Sequence, residues 1–586
     1  MDSVIASGVL MKDLHPSSSL AQRPARLWWV LPSALLAGCG LSPLSSSGPR
    51  SVPVMEAARP GPLQQCETLA GLFSYAGTRL TSAASTPAGA LTVGGAPVAE
   101  HCLVRGAMNE RVGIDGLAYA IGFEMRLPRL WNGRFWYQAN GGIDGSVVPA
   151  TGQFGGGPVT SALSQGFAVI SSDAGHDNRV TRGPGFGLDP QARLDYGYNA
   201  VAALTPMAKA LIAQAYGRPP DRSYIGGCSN GGRHAMVAAA RHPEMFDGYL
   251  VGSPGYRLPL AAVANIYGAQ QYKRVATDPK DLSTAFTTAE RQTVVDAVLG
   301  KCDSLDGARD GMIQDTNACA AAFDLARDVP TCKGARDGSC LSAEQKRAIG
   351  PIFSGATTKN GQPFYASFPF DAGLASADVA SWEFNAPLTR DSGAVGFIFA
   401  TPPYDPKTFQ AQDFVLAGDV DAMLDAVQAR GGMFTQSAME FMTPPNDSDL
   451  SKLRARGARM LVYHGVSDAI FSVNDTEAWY RRVQARDGAQ TADYARFFRV
   501  PGMAHCRDGM STDQFDAISP LVRWVEQGQA PERIEARARG AGNPGGVNKE
   551  LPADWAQDRS RPLCPYPTVA RYQGGDVEQA SSFRCQ

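Results

Sequence analysis

The sequence predicts an α/β protein, a mostly parallel sheet with helices on both faces, interrupted by one large insertion. Three observations predict it. The pentapeptide Gly227-Cys228-Ser229-Asn230-Gly231 stands between the β-prone Ser223-Tyr224-Ile225-Gly226 and a run of helix formers from Gly232 to Arg241. Strand-like and helix-like segments alternate before residue 256 and again after 445, the rhythm of a parallel sheet with helical crossovers. Between those limits the rhythm is lost, in segments rich in Pro, Phe and Thr. A strand, a sharp turn and a helix around G-x-S-x-G form the nucleophile elbow of α/β-hydrolases. The glycines are needed because the turn is too tight for side chains, and the serine hydroxyl is left exposed above the sheet. In a chain with 63 glycines the pentapeptide alone could arise by chance; its flanks carry the reading.

At 586 residues the chain exceeds one ordinary domain. With 44% hydrophobic and 19% charged residues it is globular in composition, and a formal net charge of −2 offers no basic field for nucleic acid. It contains no internal repeat, no heptads and no apolar run long enough to span a bilayer.

Taken in order, residues 1–39 read as a targeting segment: Arg23 and Arg26 precede the apolar stretch Leu27 to Gly38, too short for a membrane helix and suited to a signal-peptide core. Leu36-Ala37-Gly38-Cys39 resembles a bacterial lipobox, which would lipidate Cys39; ordinary export with the leader discarded is the alternative. Residues 40–60, rich in Ser, Pro and Gly, read as a flexible linker. Residues 61–255 and 446–586 are assigned to the catalytic α/β domain, and 256–445 to a lid inserted over the carboxyl ends of the strands. Within the first part, Leu117–Met125 is strand-like, and Asn132-Gly133 reads as a hairpin turn joining it to Arg134–Tyr137. The Gly-rich Asn140–Gly145 follows. Phe167–Asp173 is a further strand, and 190–216 a long helical pattern leading to the elbow. After the insertion come a strand at Arg459–Gly465, a helix near 475–485, a strand at Ala495–Val500 and a helix near 513–527.

The chain has 11 cysteines. Setting Cys39 aside leaves an even number, which fits disulfides in an oxidising compartment. Proximity suggests Cys302–Cys319 and Cys332–Cys340, with Cys66–Cys102 and Cys564–Cys585 towards the ends. Cys228 and Cys506 remain. Zinc ligation lacks any C-x-x-C or nearby Cys/His grouping.

A serine nucleophile needs a base, and the base an orienting acid. Of 7 histidines, His15 lies in the leader, His101 beside a cysteine, His234 and His242 on the elbow helix, and His464 inside a strand. His176 precedes the nucleophile. His505, in the loop Val500 to Cys506, follows a strand downstream of the serine. Gly465-Val466-Ser467-Asp468 supplies an acid between them, so Ser229, Asp468 and His505 occur in the α/β-hydrolase order. Read singly, Asp468 could be a turn aspartate and His505 a surface residue. Cys228 precedes the serine and Cys506 follows the histidine; were the two catalytic groups in hydrogen-bond contact, their neighbours would fall within bridging range, the alternative being two buried thiols. For the oxyanion, the backbone N–H groups of Asn230 and Gly142 are the natural donors. The cluster Asp303, Asp306, Asp310, spaced by Gly307 and Gly311, suits either Ca²⁺ or a solvated acidic turn, and its spacing is not that of an EF-hand.

The Cys-Ser, Asp, His-Cys arrangement resembles the tannase/feruloyl esterase family, whose triad is linked by such a disulfide. The resemblance runs from about residue 64 to the C-terminus and includes Gly175-His176-Asp177-Asn178, Phe186–Asp195 and Arg561–Pro567. It implies a serine esterase acting on aromatic carboxylate esters, a structural Ca²⁺ held by Asp303, Asp306 and Asp310 with the carbonyls of Ala308 and Met312, and no organic cofactor. It also implies that Phe471 and Trp382 line the acyl pocket and that Arg390 grips a free carboxylate on the substrate. The chain departs from the pattern just beyond, where Ala394 replaces an aromatic residue. The expectation is therefore an exported monomeric esterase, its membrane contact limited to a lipid on Cys39, acting on a terephthalate monoester. Feruloyl or gallate esters are the alternative of the same class. A secreted peptidase, or a binding protein that has lost a triad member, are the rivals of other classes.

Overall fold

The computed structural model describes residues 52–153 and 161–586. The expected leader with Cys39, and the linker as far as residue 51, lie outside them. The unit from Ser51 to Gln586 is built on a nine-stranded sheet. In chain order its strands are β1 (Thr78–Thr86), β2 (His101–Val112), β3 (Ala118–Pro128), β4 (Arg134–Gln138), β5 (Ala168–Ser172), β6 (Arg222–Cys228), β7 (Gly248–Gly252), β8 (Arg459–Gly465) and β9 (Ala495–Val500). Across the sheet they lie β9-β8-β7-β6-β4-β5-β3-β2-β1. Neighbours from β9 to β5 are parallel; β3, β2 and β1 continue the sheet antiparallel.

Every residue of β5, β7 and β8 is buried, as expected for parallel strands covered on both faces. Strand alternation divides their side chains between two cores. Tyr249, Val251, Met460 and Val462 enter one; Leu250, Leu461 and Tyr463 enter the other. Helices α1 (Ala200–Tyr216), α2 (Asn230–Arg241), α3 (Leu258–Lys273), α4 (Ala377–Phe384), α5 (Val473–Asp487) and α6 (Ile518–Gln527) matter for the site. On α6, Ile518, Leu521, Trp524 and Val525 are buried, a helical apolar stripe. The pattern read over 190–216 is interrupted by a π-helical turn at Asp195–Asn199. Neighbouring strands β7 and β8 are joined by residues 253–458, which include α3 and α4 of the insertion and, after it, the helix Ser451–Arg456.

Three local expectations fail. Asn132-Gly133 makes no hairpin, because β3 pairs with β2 and β5 while β4 is taken by β5 and β6. Gly133 has φ +85°, and a Cβ there would meet the Arg59 carbonyl oxygen at 2.3 Å, so the glycine serves a crossing of backbones. Residues 52–60 are not a loose linker but a strap. Pro53 O accepts from Arg459 (2.9 Å), Met55 N donates to Val525 O (3.1 Å), and Ala58 N to Glu526 Oε2 (2.9 Å). Composition signals a linker; it does not reveal that partners wait for the backbone groups. The helix expected near 513–527 starts only at Ile518, after a short strand at Gln514–Phe515.

Candidate active site

Ser229 stands at the tip between β6 and α2 with φ +66° and ψ −129°, a strained backbone for a residue with a side chain. Cβ atoms at Gly227 and Gly231 would each lie 2.2 Å from the Ala139 carbonyl oxygen. Both glycines are thus required by the close passage of the β4 exit past the elbow. His505 Nε2 is 2.8 Å from Ser229 Oγ, and His505 Nδ1 is 2.7 Å from Asp468 Oδ2. Asp468 Oδ1 accepts the N–H groups of Ile470 and Phe471 at 3.0 Å. Burial alone would raise the Asp468 carboxyl, but His505 and His464 hold it well below the usual carboxylate range. His464 lies within β8, away from the base position. In the fold its Nε2 comes within 3.4 Å of Asp468 Oδ2, with Thr476 and the Phe471 carbonyl fixing the ring.

Disulfides join Cys66–Cys102, Cys228–Cys506, Cys302–Cys319, Cys332–Cys340 and Cys564–Cys585. The second spans 278 residues and ties the residue before the nucleophile to the residue after the histidine.

Gly142, Asn230, Ser229, Arg390 and Phe471 line one cavity, with Tyr196, Leu258, Ala262, Ala394 and Phe399 among its other walls. Its volume is ≈ 20 Å³, room for about one water. Trp382 is not among these walls. It lines a neighbouring cavity beside Asp468, with its ring edge-on to His505 at 5.1 Å. The Arg390 guanidinium lies 4.4 Å from the Trp382 ring centroid. It is already paired with Asp391 Oδ1, at 3.0 Å from Nε and 2.8 Å from Nη2.

Beneath the Gly-rich loop lies a buried network that residue types alone did not reveal. Asp144 Oδ2 accepts from Asn230 Nδ2 (2.8 Å) and meets His234 Nε2 (2.9 Å), while Arg233 Nε donates to Asn230 Oδ1 (2.6 Å). The loop carrying Gly142 and the helix beginning at Asn230 are thereby joined by one carboxylate. Burial raises Asp144 well above its usual range and lowers His234 well below its own, so both groups favour the neutral state.

Asp303, Asp306 and Asp310 share one loop, but their oxygens are turned to the protein. Asp303 Oδ1 accepts from Asp310 N and Gly311 N (3.1 Å each). Asp306 accepts from Ala308 N and Gln314 N, and Asp310 from Met312 N and Arg561. Among the described residues no group of three or more His, Cys, Asp or Glu is placed to hold a metal ion. The donors are nevertheless all oxygens, as Ca²⁺ prefers. Burial, with Asp310 and Asp303 nearby, pushes Asp306 up to about 7, a strain that a cation would relieve.

The chain matches the family described as tannase and feruloyl esterase over residues 104–586. It belongs to that family. This esterase is 39% identical over 551 residues to mono(2-hydroxyethyl) terephthalate hydrolase of Piscinibacter sakaiensis, covering 88% of this chain and 89% of that one. It is 27% identical over 480 residues to a probable feruloyl esterase B-1 of Neosartorya fischeri, covering 79% and 82%. The crystal structure of feruloyl esterase B from Aspergillus oryzae superposes with a TM-score of 0.70 at 23% identity, covering 89% of this chain and 99% of that one; this likeness speaks for the fold. The family member is thus an α/β-hydrolase that cleaves carboxylic esters.

Proposed function

We propose that this esterase cleaves esters of aromatic carboxylic acids through an acyl-enzyme on Ser229, with mono(2-hydroxyethyl) terephthalate as substrate. The observation that carries the reading is the relay Asp468–His505–Ser229, with bonds of 2.7 and 2.8 Å, beside a cavity that Arg390 lines. His505 Nε2 takes the Ser229 proton as Oγ attacks the ester carbonyl. Asp468 fixes the tautomer that leaves Nε2 basic and stabilises the imidazolium that results. The N–H groups of Gly142 and Asn230 receive the oxyanion. His505 then protonates the departing alcohol, and afterwards deprotonates the water that releases the acid. Arg390 would turn Nη1, which Asp391 does not hold, towards a distal carboxylate of the acyl group.

The pairing of Arg390 with Asp391 also favours a second reading, in which no cation is spare for a substrate carboxylate and the acyl group is a feruloyl or gallate one. Turnover of mono(2-hydroxyethyl) terephthalate beside methyl ferulate and methyl gallate, with Ser229→Ala as blank, separates the two. Preference for the terephthalate ester, weakened at least tenfold by Arg390→Ala, supports the first. Preference for ferulate or gallate that survives Arg390→Ala supports the second. Silence on all three by folded protein removes both. Retention of activity by Ser229→Ala removes the acyl-enzyme, and hydrolysis of peptides rather than esters would point to the peptidase rival.

The same reading has Asp303, Asp306 and Asp310, with the carbonyls of Ala308 and Met312, take up Ca²⁺ as a brace remote from the chemistry. A melting temperature that rises with added Ca²⁺ after chelation supports it, and one indifferent to both removes it. It also has the protein exported and monomeric, which five disulfides support for export, with Cys39 as a lipidated N-terminus. Mass spectrometry of the mature N-terminal peptide and light scattering test these.

A further inference from the structure

Two carboxylates of the insertion reach the histidine loop: Asp371 Oδ2 accepts the Gly502 N–H at 2.7 Å, and Asp378 reaches His505 itself. Asp378, in the first turn of α4, accepts the His505 backbone N–H on Oδ2 at 3.3 Å. The same oxygen accepts the indole N–H of Trp382, one turn on, at 3.0 Å. The Trp382 ring in turn stands perpendicular to the His505 imidazole, with the Arg390 guanidinium over it. The chain of contacts Arg390–Trp382–Asp378–His505 thus runs from the wall of the serine cavity to the backbone of the general base. Burial pushes this carboxyl up to about 6, opposed first by the charge of His505 and then by the two N–H donors. The groups facing it are His505 and Asp468, from the histidine and acid loops.

We propose that Asp378 is a positioning residue for the ester cleavage: by accepting both N–H groups on one oxygen, it ties the aromatic wall of the insertion to His505, so that acyl groups reaching Trp382 align the base with Ser229. The inference rests on the Ser229–His505 reading given above. Its consequence is selective, because a small acyl group that never touches Trp382 gains nothing from it.

The test compares Asp378→Ala, Asp378→Asn and Trp382→Phe on an aromatic ester (methyl ferulate or mono(2-hydroxyethyl) terephthalate, whichever is turned over) and on p-nitrophenyl acetate. Two hydrogen bonds to a charged acceptor are lost in Asp378→Ala, so kcat for the aromatic ester should fall on the order of tenfold or more, with KM within about threefold of the original. Asparagine keeps an acceptor oxygen and should restore kcat to within about threefold. Trp382→Phe, which lacks the N–H, should lower kcat for the aromatic ester more than for the acetate. The double variant Asp378→Ala/Trp382→Phe should lose less than the product of the single losses. Wild-type kcat in Asp378→Ala, strict multiplication of the two losses, or equal losses on both esters overturns the inference. Should Asp378→Ala fail to fold, Trp382→Phe and Asp378→Asn decide it alone. If Ser229→Ala remains active, the catalytic reading itself has failed; if Ser229→Ala is dead while Asp378→Ala is unimpaired, only this inference has.

Discussion

Replacing Cys228 and Cys506 together by alanine should cost both stability and turnover. The bridge closes a loop of 278 residues. In the chain-entropy model that removes about 5.6 kcal/mol of freedom from the unfolded chain, against about 2.5 kcal/mol for a short loop such as Cys332–Cys340, whose separation is 8. With an unfolding entropy of roughly 2.1 cal/mol/K per residue, the two losses correspond to drops of about 5 °C and 2 °C in melting temperature. The difference between the two variants is the more telling quantity, since the errors of the model largely cancel in it. The two cysteines also flank the nucleophile and the base, with Cα atoms 6.1 Å apart. Misplacement of reacting groups by about 1 Å can cost a hundredfold in rate, so kcat should fall at least tenfold in Cys228→Ala/Cys506→Ala. In Cys332→Ala/Cys340→Ala it should stay unchanged. Melting curves at one scan rate and initial rates on an aromatic ester test both halves. A melting temperature lowered no more than in the short-loop variant would refute the entropy argument. Unaltered kcat would refute the positional one, and leave the bridge a stabiliser only.

Asp468→Asn should lower kcat by on the order of 10⁴, because the amide favours the wrong imidazole tautomer. Since the folded Asp468 carboxyl is held below its unfolded value, it contributes stability above that unfolded value and loses it only as pH falls through the folded one. The melting difference between wild type and Asp468→Asn should therefore shrink on strong acidification. Asp173 behaves oppositely: burial pushes its carboxyl up to about 7, so its contribution is complete below pH ~4 and is lost as pH rises through 7. Asp173→Asn should melt progressively higher relative to wild type between pH 4 and 7, and a constant difference would contradict this. Gly142→Ala meets no atom within 4 Å but holds φ +65°. It should cost about 1–2 kcal/mol of stability from backbone strain alone and lower kcat by shifting an oxyanion donor; unaltered kcat would remove Gly142 from that role.

The elbow was legible because its chemistry is local: glycines packed on the Ala139 carbonyl and a serine at the tip leave a five-residue imprint. Asp468 and His505 were legible because each follows a strand in a fixed order. The pairing of β3 with β5 was not, since Asn132-Gly133 has every local property of a hairpin turn and only the competing edge of β5 rules it out. His464 lies inside β8 as read and is not the base, but its reach to the acid that follows it depends on the turn after the strand. Asp144 and Asp378 left no sequence signal at all. Each is a single aspartate whose partners, Asn230 and His234 for one and the His505 backbone for the other, are brought to it by distant segments.

The insertion joins two strands that already lie side by side and run parallel. A plain crossover between such neighbours needs only a dozen or so residues, and here the same two endpoints carry some two hundred. Whatever the inserted segment becomes, β7 and β8 ask only that it leave at Gly252 and return at Arg459. Exchange of this segment must still carry its contacts with the elbow helix, where Arg233 donates to the Met442 carbonyl and Arg241 to that of Glu440.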